Sequence, residues 1–162
     1  MYVRLTRLFS GGGFCFALAA DVRIAGKSFK GNAAFLNIGL SGAELGISYF
    51  LPALVGQNAA NELMLTGDVI HADRALALGL VSDVVDDCQL SDRAHAMAAR
   101  MLEASPKGLF MTKETIRAMA DGMSLEAAVM FEDARQVVML NDEGTAEYAR
   151  RAMQRMGRKA KL

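Results

Sequence analysis

Three consecutive glycines, Gly11-Gly12-Gly13, open directly into the apolar stretch Phe14 to Ala20, and the run Asp21-Val22-Arg23-Ile24-Ala25 follows at once. That order constrains the fold more than any other feature of the chain. It reads as a glycine turn, a buried helix and a short buried strand in immediate succession. The first N–H groups of such a helix have no intrahelical partner and carry the positive end of its dipole, so they point at whatever sits in front of the turn. A polarised or anionic oxygen is the guest this arrangement favours.

Around that unit the pattern divides in two. Residues 2 to 9 alternate loosely and suit a strand, Gly12 to Ala20 reads as a helix apolar all round, and Val22 to Ala25 as a strand. Phe29 to Ile38 is predicted extended and Gly39 to Gly46 a glycine-rich loop, with a helix over Leu45 to Leu54 that carries Pro52 near its end. Gly56 to Thr66 is predicted helical and stopped at Gly67. Asp73 offers an N-cap to a short helix ending at Gly79, and Leu80 to Val85 reads as a strand. Beyond Asp86 glycine and β-branched residues thin out, and helices are predicted at about 89–104, 106–121, 124–140 and 143–156, with Pro106 at a first helical position and Ser124 as an N-cap. The expected organisation is a mixed α/β region over residues 1–86 and an all-helical region over 87–162.

Composition narrows the function classes. The 162 residues carry 18 basic and 18 acidic side chains, so no global charge argues for nucleic acid. Locally, acids dominate from Asp68 to Asp92, and only bases occur from Arg150 to the end: Arg150, Arg151, Arg155, Arg158, Lys159 and Lys161. The bases suit either a phosphate-bearing ligand or the dipole of a helix C-terminus. Cys15 and Cys88 lie far apart without metal-ligand spacing, which suits a reducing cytoplasm. Arg4 and Arg7 ahead of Leu8 to Ala20 imitate a secretory leader, but the glycines interrupt its apolar core. The longest apolar runs fall short of a membrane span.

Six motifs in order resemble the enoyl-CoA hydratase/isomerase (crotonase) family. They are Gly11-Gly12-Gly13-Phe14 through Asp21-Val22-Arg23-Ile24-Ala25, Asn37-Ile38-Gly39-Leu40, Leu51-Pro52-Ala53-Leu54-Val55-Gly56, Glu62-Leu63-Met64-Leu65-Thr66-Gly67-Asp68, the run Ala72 to Asp83, and Ser105-Pro106 with Thr112-Lys113. The resemblance implies an α/β fold, the C-terminal half of a spiral of ββα turns, followed by helices that assemble subunits into trimers or hexamers. It implies an acyl-CoA thioester as ligand, with coenzyme A as part of the substrate and no separate cofactor or metal. It implies Gly12 as a backbone donor to the thioester carbonyl, with Gly11 and Gly13 beside the substrate. The loop giving the other donor belongs to a preceding segment in family members, so the chain reads as an N-terminally truncated member.

Two departures bear on chemistry. Where hydratases of the family carry glutamates, this chain has Cys15 and Phe35, which leaves those positions and Leu40 as expected substrate contacts without an acid/base pair. Glu44, in the loop Ser41-Gly42-Ala43-Glu44-Leu45-Gly46, resembles the acidic residue that dienoyl-CoA isomerase-like members carry in an Ala-Asp-Val-Gly loop, after a one-residue gap. Burial in that apolar stretch would raise its pKa and suit it to proton transfer at an allylic carbon; an exposed loop acid is the alternative. Cys15, near the start of a helix, is either a lowered-pKa nucleophile or a small hydrophobe. The resulting expectation is hydration or double-bond isomerisation of an acyl-CoA, with Glu44 and Gly12 as catalytic groups; the alternative is an inactive family member that oligomerises and at most binds acyl-CoA.

Overall fold

The computed structural model describes residues 2–120 and 122–159. The chain forms two compact units, residues 1–98 and 99–162. In the first, strands β1 (Tyr2–Leu5) and β2 (Leu8–Ser10) lead straight into helix α1 (Gly12–Leu18), and β3 (Val22–Gly26) and β4 (Lys30–Asn32) repeat the pattern. β3 lies parallel to β1, with Leu5 opposite Ala25, and β4 lies parallel to β2, with Phe9 opposite Gly31. Each ββα turn therefore adds one strand to each of two small sheets. The strand orders are β1-β3-β6 and β2-β4-β5, where β5 is Ile70–His71 and β6 is Asp83–Val85.

The strand immediately before the triple glycine is present, although Met1 to Ser10 carries weak strand chemistry. Parallel pairing with β4 supplies what the side chains do not. Part of the stretch that imitates a secretory leader lies in the core: Leu5, Phe14, Cys15, Ala17 and Leu18 are all buried in one cluster with Phe29, Ile47, Leu51 and Leu63. Helix α1 is not buried all round, because Phe16 stands 70% exposed on its outer face.

The other elements differ from the periodicity in ways that local chemistry explains. Only Lys30–Asn32 of the expected extended segment is strand, and Leu36–Ile38 winds into a 3₁₀ turn closed by Gly39 at φ 79°. Helix α2 (Ile47–Val55) holds Pro52 in its interior. The carbonyl that proline leaves unpaired belongs to Ser48, which is exposed and so reachable by water. Helix α3 (Gln57–Thr66) ends at Gly67 in the left-handed region, as its sequence predicts. Helix α4 (Ala72–Ala77) has His71 at its N-cap position and Asp73 inside its first turn, so Asp73 complements the dipole and does not cap.

Arg23 is buried and tied to three carbonyls. It donates to Leu80 at 2.7 Å, to Leu18 at 3.0 Å and to Ala20, which joins the end of α1 to the loop before β6. Burial lowers its pKa and the Asp21 charge opposes that shift. Helix α5 (Leu90–Met101) lays Leu90 and Ala94 against Ile24 of β3.

The second unit is helical: α6 (Pro106–Ala120), α7 (Leu125–Leu140) and α8 (Thr145–Lys159). Pro106 opens α6, and Ser105 Oγ accepts from the Gly108 N–H at 2.8 Å. Ser124 caps α7 by accepting from the Ala127 N–H at 3.2 Å. No residue of α6 or α7 is fully buried, and Phe110, Ile116, Leu125, Met130 and Leu140 are each more than half exposed. Among the described residues no helix is long and apolar enough to cross a membrane.

Candidate active site

The glycine turn is fixed from below by the backbone. Gly11 adopts φ 53° and ψ −125°, a combination that residues with a β-carbon rarely take. Its N–H donates to Asn32 of β4 at 3.1 Å, and its carbonyl accepts the Cys15 N–H at 3.1 Å. With that N–H spent, the next donors along the chain belong to Gly12 and Gly13. No side chain caps α1 and its first turn holds no acid, so these donors retain the unpaired character that a polarised oxygen satisfies. The turn opens outward: a β-carbon on Gly13 would meet nothing within 4 Å.

The surroundings come from two segments distant in sequence. The Phe35 ring lies 3.7 Å from where a Gly11 β-carbon would sit, and Leu45 Cδ1 lies 3.3 Å from the equivalent point on Gly12. The Cys15 thiol donates to the Glu44 carbonyl at 3.6 Å, which ties the loop bearing Glu44 to α1. Gly11, Gly12, Cys15, Phe35 and Glu44 are thus brought together around one turn. Leu40 is 55% exposed and its N–H donates to the Phe35 carbonyl at 3.0 Å. Leu45 is the residue that sequence reasoning passed over. A leucine gives no signal of a left-handed backbone, and Leu45 adopts φ 50°.

Burial bears on the readings left open at these positions. Cys15 is 1% exposed and Phe35 8%, so both form an apolar floor under the turn. Burial pushes the Cys15 thiol up, its backbone hydrogen bond opposes that, and the Glu44 charge pushes it up further. That direction fits Cys15 as a small hydrophobe and runs against a lowered-pKa nucleophile. Glu44 itself is exposed, so the burial needed for desolvation is not supplied by this chain.

Other polar features are absorbed locally. Asp83 pairs with Arg93 at 2.6 Å, Asp86 with Lys27 at 2.7 Å, and Asp87 accepts the Ser28 N–H at 3.1 Å, which accounts for much of the acidic run. His71 and His95 are exposed, and His95 Nδ1 lies 3.5 Å from Ser91 Oγ. Arg151 pairs with Glu147 and stacks over Tyr148. Lys161 lies outside the described residues. A cavity of about 360 Å³ in the second unit is lined by Ser105, Met139, Thr145, Tyr148 and neighbours, and contains none of the residues around the glycine turn. Among the described residues no cluster of His, Cys, Asp or Glu has the arrangement of a metal site.

The family model described as enoyl-CoA hydratase/isomerase matches residues 8–157, beginning at β2 and running into α8. The chain belongs to the enoyl-CoA hydratase/isomerase family. A probable enoyl-CoA hydratase of Mycobacterium tuberculosis is 46% identical over 127 residues, covering 78% of this chain and 45% of that protein. The solved structure of a probable enoyl-CoA hydratase/isomerase from Mycobacterium abscessus superposes with a TM-score of 0.87 at 37% identity, over 93% of this chain and 57% of that one. A monofunctional enoyl-CoA isomerase from M. smegmatis superposes with a TM-score of 0.70 at 42% identity, over 76% of this chain and 57% of that one. The chain spans about half the length of the relatives it matches. The expected fold, the later portion of a ββα spiral followed by helices, is the fold these enoyl-CoA hydratase/isomerase structures share.

Proposed function

We propose that this enoyl-CoA hydratase/isomerase family chain holds an acyl-CoA thioester at the glycine turn and moves its double bond, with the Gly12 N–H at the carbonyl oxygen and Glu44 transferring the proton. The observation that carries this is the open, uncapped turn with a single carboxylate loop pinned beside it by the Cys15–Glu44 hydrogen bond. Isomerisation needs one carboxylate. Glu44 takes a proton from the α-carbon of a 3-enoyl thioester, the electron pair delocalises onto the carbonyl oxygen, and the proton returns at the γ-carbon to give the 2-enoyl product. The oxygen charges up only in the transition state, so a backbone donor there contributes about 2.7–4 kcal/mol to catalysis. Hydration requires an acid/base pair to place and activate water, and the positions available for it, Cys15 and Phe35, are apolar floor.

The test is the conversion of 3-enoyl-CoA to the conjugated 2-enoyl product, followed by ultraviolet absorbance, beside hydration of crotonyl-CoA. Glu44→Gln is expected to lower isomerisation by about 10²–10⁴-fold. Turnover unchanged by that substitution removes Glu44 from the mechanism. A second possibility is binding without turnover, favoured by the exposure of Glu44; calorimetry with a saturated acyl-CoA separates the two. The exposed apolar faces of α6 and α7 support self-association into the trimers or hexamers implied by the family resemblance, which light scattering on the full chain reads directly.

A further inference from the structure

Leu45 holds a conformation that its own packing does not explain. Among the described residues only Arg7 and Leu45 have positive φ without being glycine, and Leu45 stands at φ 50° with its side chain 50% exposed. It is not part of the buried core. Glycine or asparagine takes this backbone with less strain, so an exposed leucine there answers to something other than stability. The loop gives it no freedom to relax. The Glu44 carbonyl accepts from the Ile47 N–H at 3.0 Å and from the Cys15 thiol, and the following Gly46, at φ 81°, accepts from the Tyr49 and Phe50 N–H groups at 3.0 Å each. The result of this locked geometry is a δ-methyl group against Gly12, 3.3 Å from the point a β-carbon would occupy.

We propose that Leu45 is a specificity-determining residue: its side chain walls the space beside the acyl α-carbon and selects unbranched thioesters over those branched at that carbon. This rests on thioester binding at Gly12 as set out above. A carbonyl oxygen about 2.9 Å from the Gly12 nitrogen brings the carbonyl carbon and its two substituents, sulfur and α-carbon, close to the same glycine. The α-carbon must face Glu44 for proton transfer, and Glu44 adjoins Leu45 in the chain. An unbranched α-carbon packs against the leucine, whereas a 2-methyl group competes with Cδ1 for one volume.

The experiment measures, by calorimetry on the full chain, the affinities of butyryl-CoA and isobutyryl-CoA, which are saturated and differ in branching at the α-carbon. The wild type is expected to prefer butyryl-CoA by about ten-fold or more, the scale on which a pocket discriminates one carbon. Leu45→Gly removes the wall and relieves the backbone; it is expected to bring the two affinities within about three-fold while the melting temperature is held or raised. Leu45→Ala reads the same ratio with a β-carbon retained, against loosening of the loop by adjacent glycines. A wild type without preference, or a ratio unchanged in both variants, overturns the assignment of Leu45 and leaves thioester binding standing. A wild type that binds neither compound overturns thioester binding and this inference together.

Discussion

Replacing Gly12 by proline deletes one N–H from the turn while asking little of the fold. Gly12 is the first residue of α1, the position where proline's fixed φ is already helical and its missing donor has no intrahelical acceptor to lose. The residue before a proline is excluded mainly from the right-handed helical region, and Gly11, at φ 53° and ψ −125°, lies far from it. The steric cost is set by Leu45, whose Cδ1 lies 3.3 Å from the introduced β-carbon, so the leucine must yield by a few tenths of an ångström. Being half exposed, it has room to do so. Gly12→Ala brings the same β-carbon and keeps the N–H, whereas the proline ring sets Cδ where the amide hydrogen stood, so Gly12→Pro loses the donor and also fills the place of the carbonyl oxygen. That donor is worth about 2.7–4 kcal/mol, or about 10²–10³-fold in kcat. In the absorbance assay of 3-enoyl-CoA conversion, Gly12→Ala is expected to stay within a few-fold of wild type, and Gly12→Pro to fall by at least about two to three orders of magnitude with its circular dichroism unchanged. Equal kcat in the two variants refutes the oxyanion role of Gly12.

Three further outcomes are expected. The Asp87 carboxyl is held below its ordinary value, first by the Ser28 hydroxyl and then by the Ser28 N–H; its stabilising contribution is therefore present above the unfolded-state pKa and is lost as pH falls through the lowered folded value. Urea midpoints measured from neutral pH into the acid range should drop less steeply for Asp87→Asn than for wild type, and parallel curves contradict the assignment. Gly31→Ala places a β-carbon 2.8 Å from both the Phe14 and Phe29 rings, and is expected to destabilise by about 1–3 kcal/mol in chemical denaturation through overpacking. Iodoacetamide at neutral pH should label the exposed Cys88 and leave the buried Cys15 unmodified in the native state, as mass spectrometry of peptides would show.

What the residues announced and what they concealed separate along physical lines. Helix ends with explicit chemistry were legible: Pro106 opening α6, Ser124 capping α7 and Gly67 ending α3 all act where their side chains or backbone freedom direct. Elements held by pairing were less so, because β1 and β2 owe their strand geometry to parallel partners some twenty residues on, and only the folded chain brings those together. The same division runs through the site. The glycine turn was legible because only glycine serves there, as Gly11 shows. The depth of Phe35, the exposure of Glu44 and the left-handed backbone of Leu45 depend on contacts between α1 and the loop before α2, which leave no mark on local composition.

The exposure of Glu44 ties the chemistry to what covers the turn. A carboxylate in water is a weak base toward a carbon acid, and proton abstraction next to a thioester gains from a dry surrounding that strengthens both the base and the hydrogen bond to the developing oxyanion. This chain supplies the floor of such a surrounding, Phe35 and Cys15 beneath the glycines, and with Leu45 one wall. On the proposed isomerisation, the remaining apolar surface near Glu44 comes from the ligand's own acyl chain or from further polypeptide seated over the loop. Acyl chain length is accordingly a catalytic variable as well as a binding one: if the chain dries the carboxylate, lengthening it raises kcat along with affinity, whereas a cover supplied by polypeptide leaves kcat flat while KM falls.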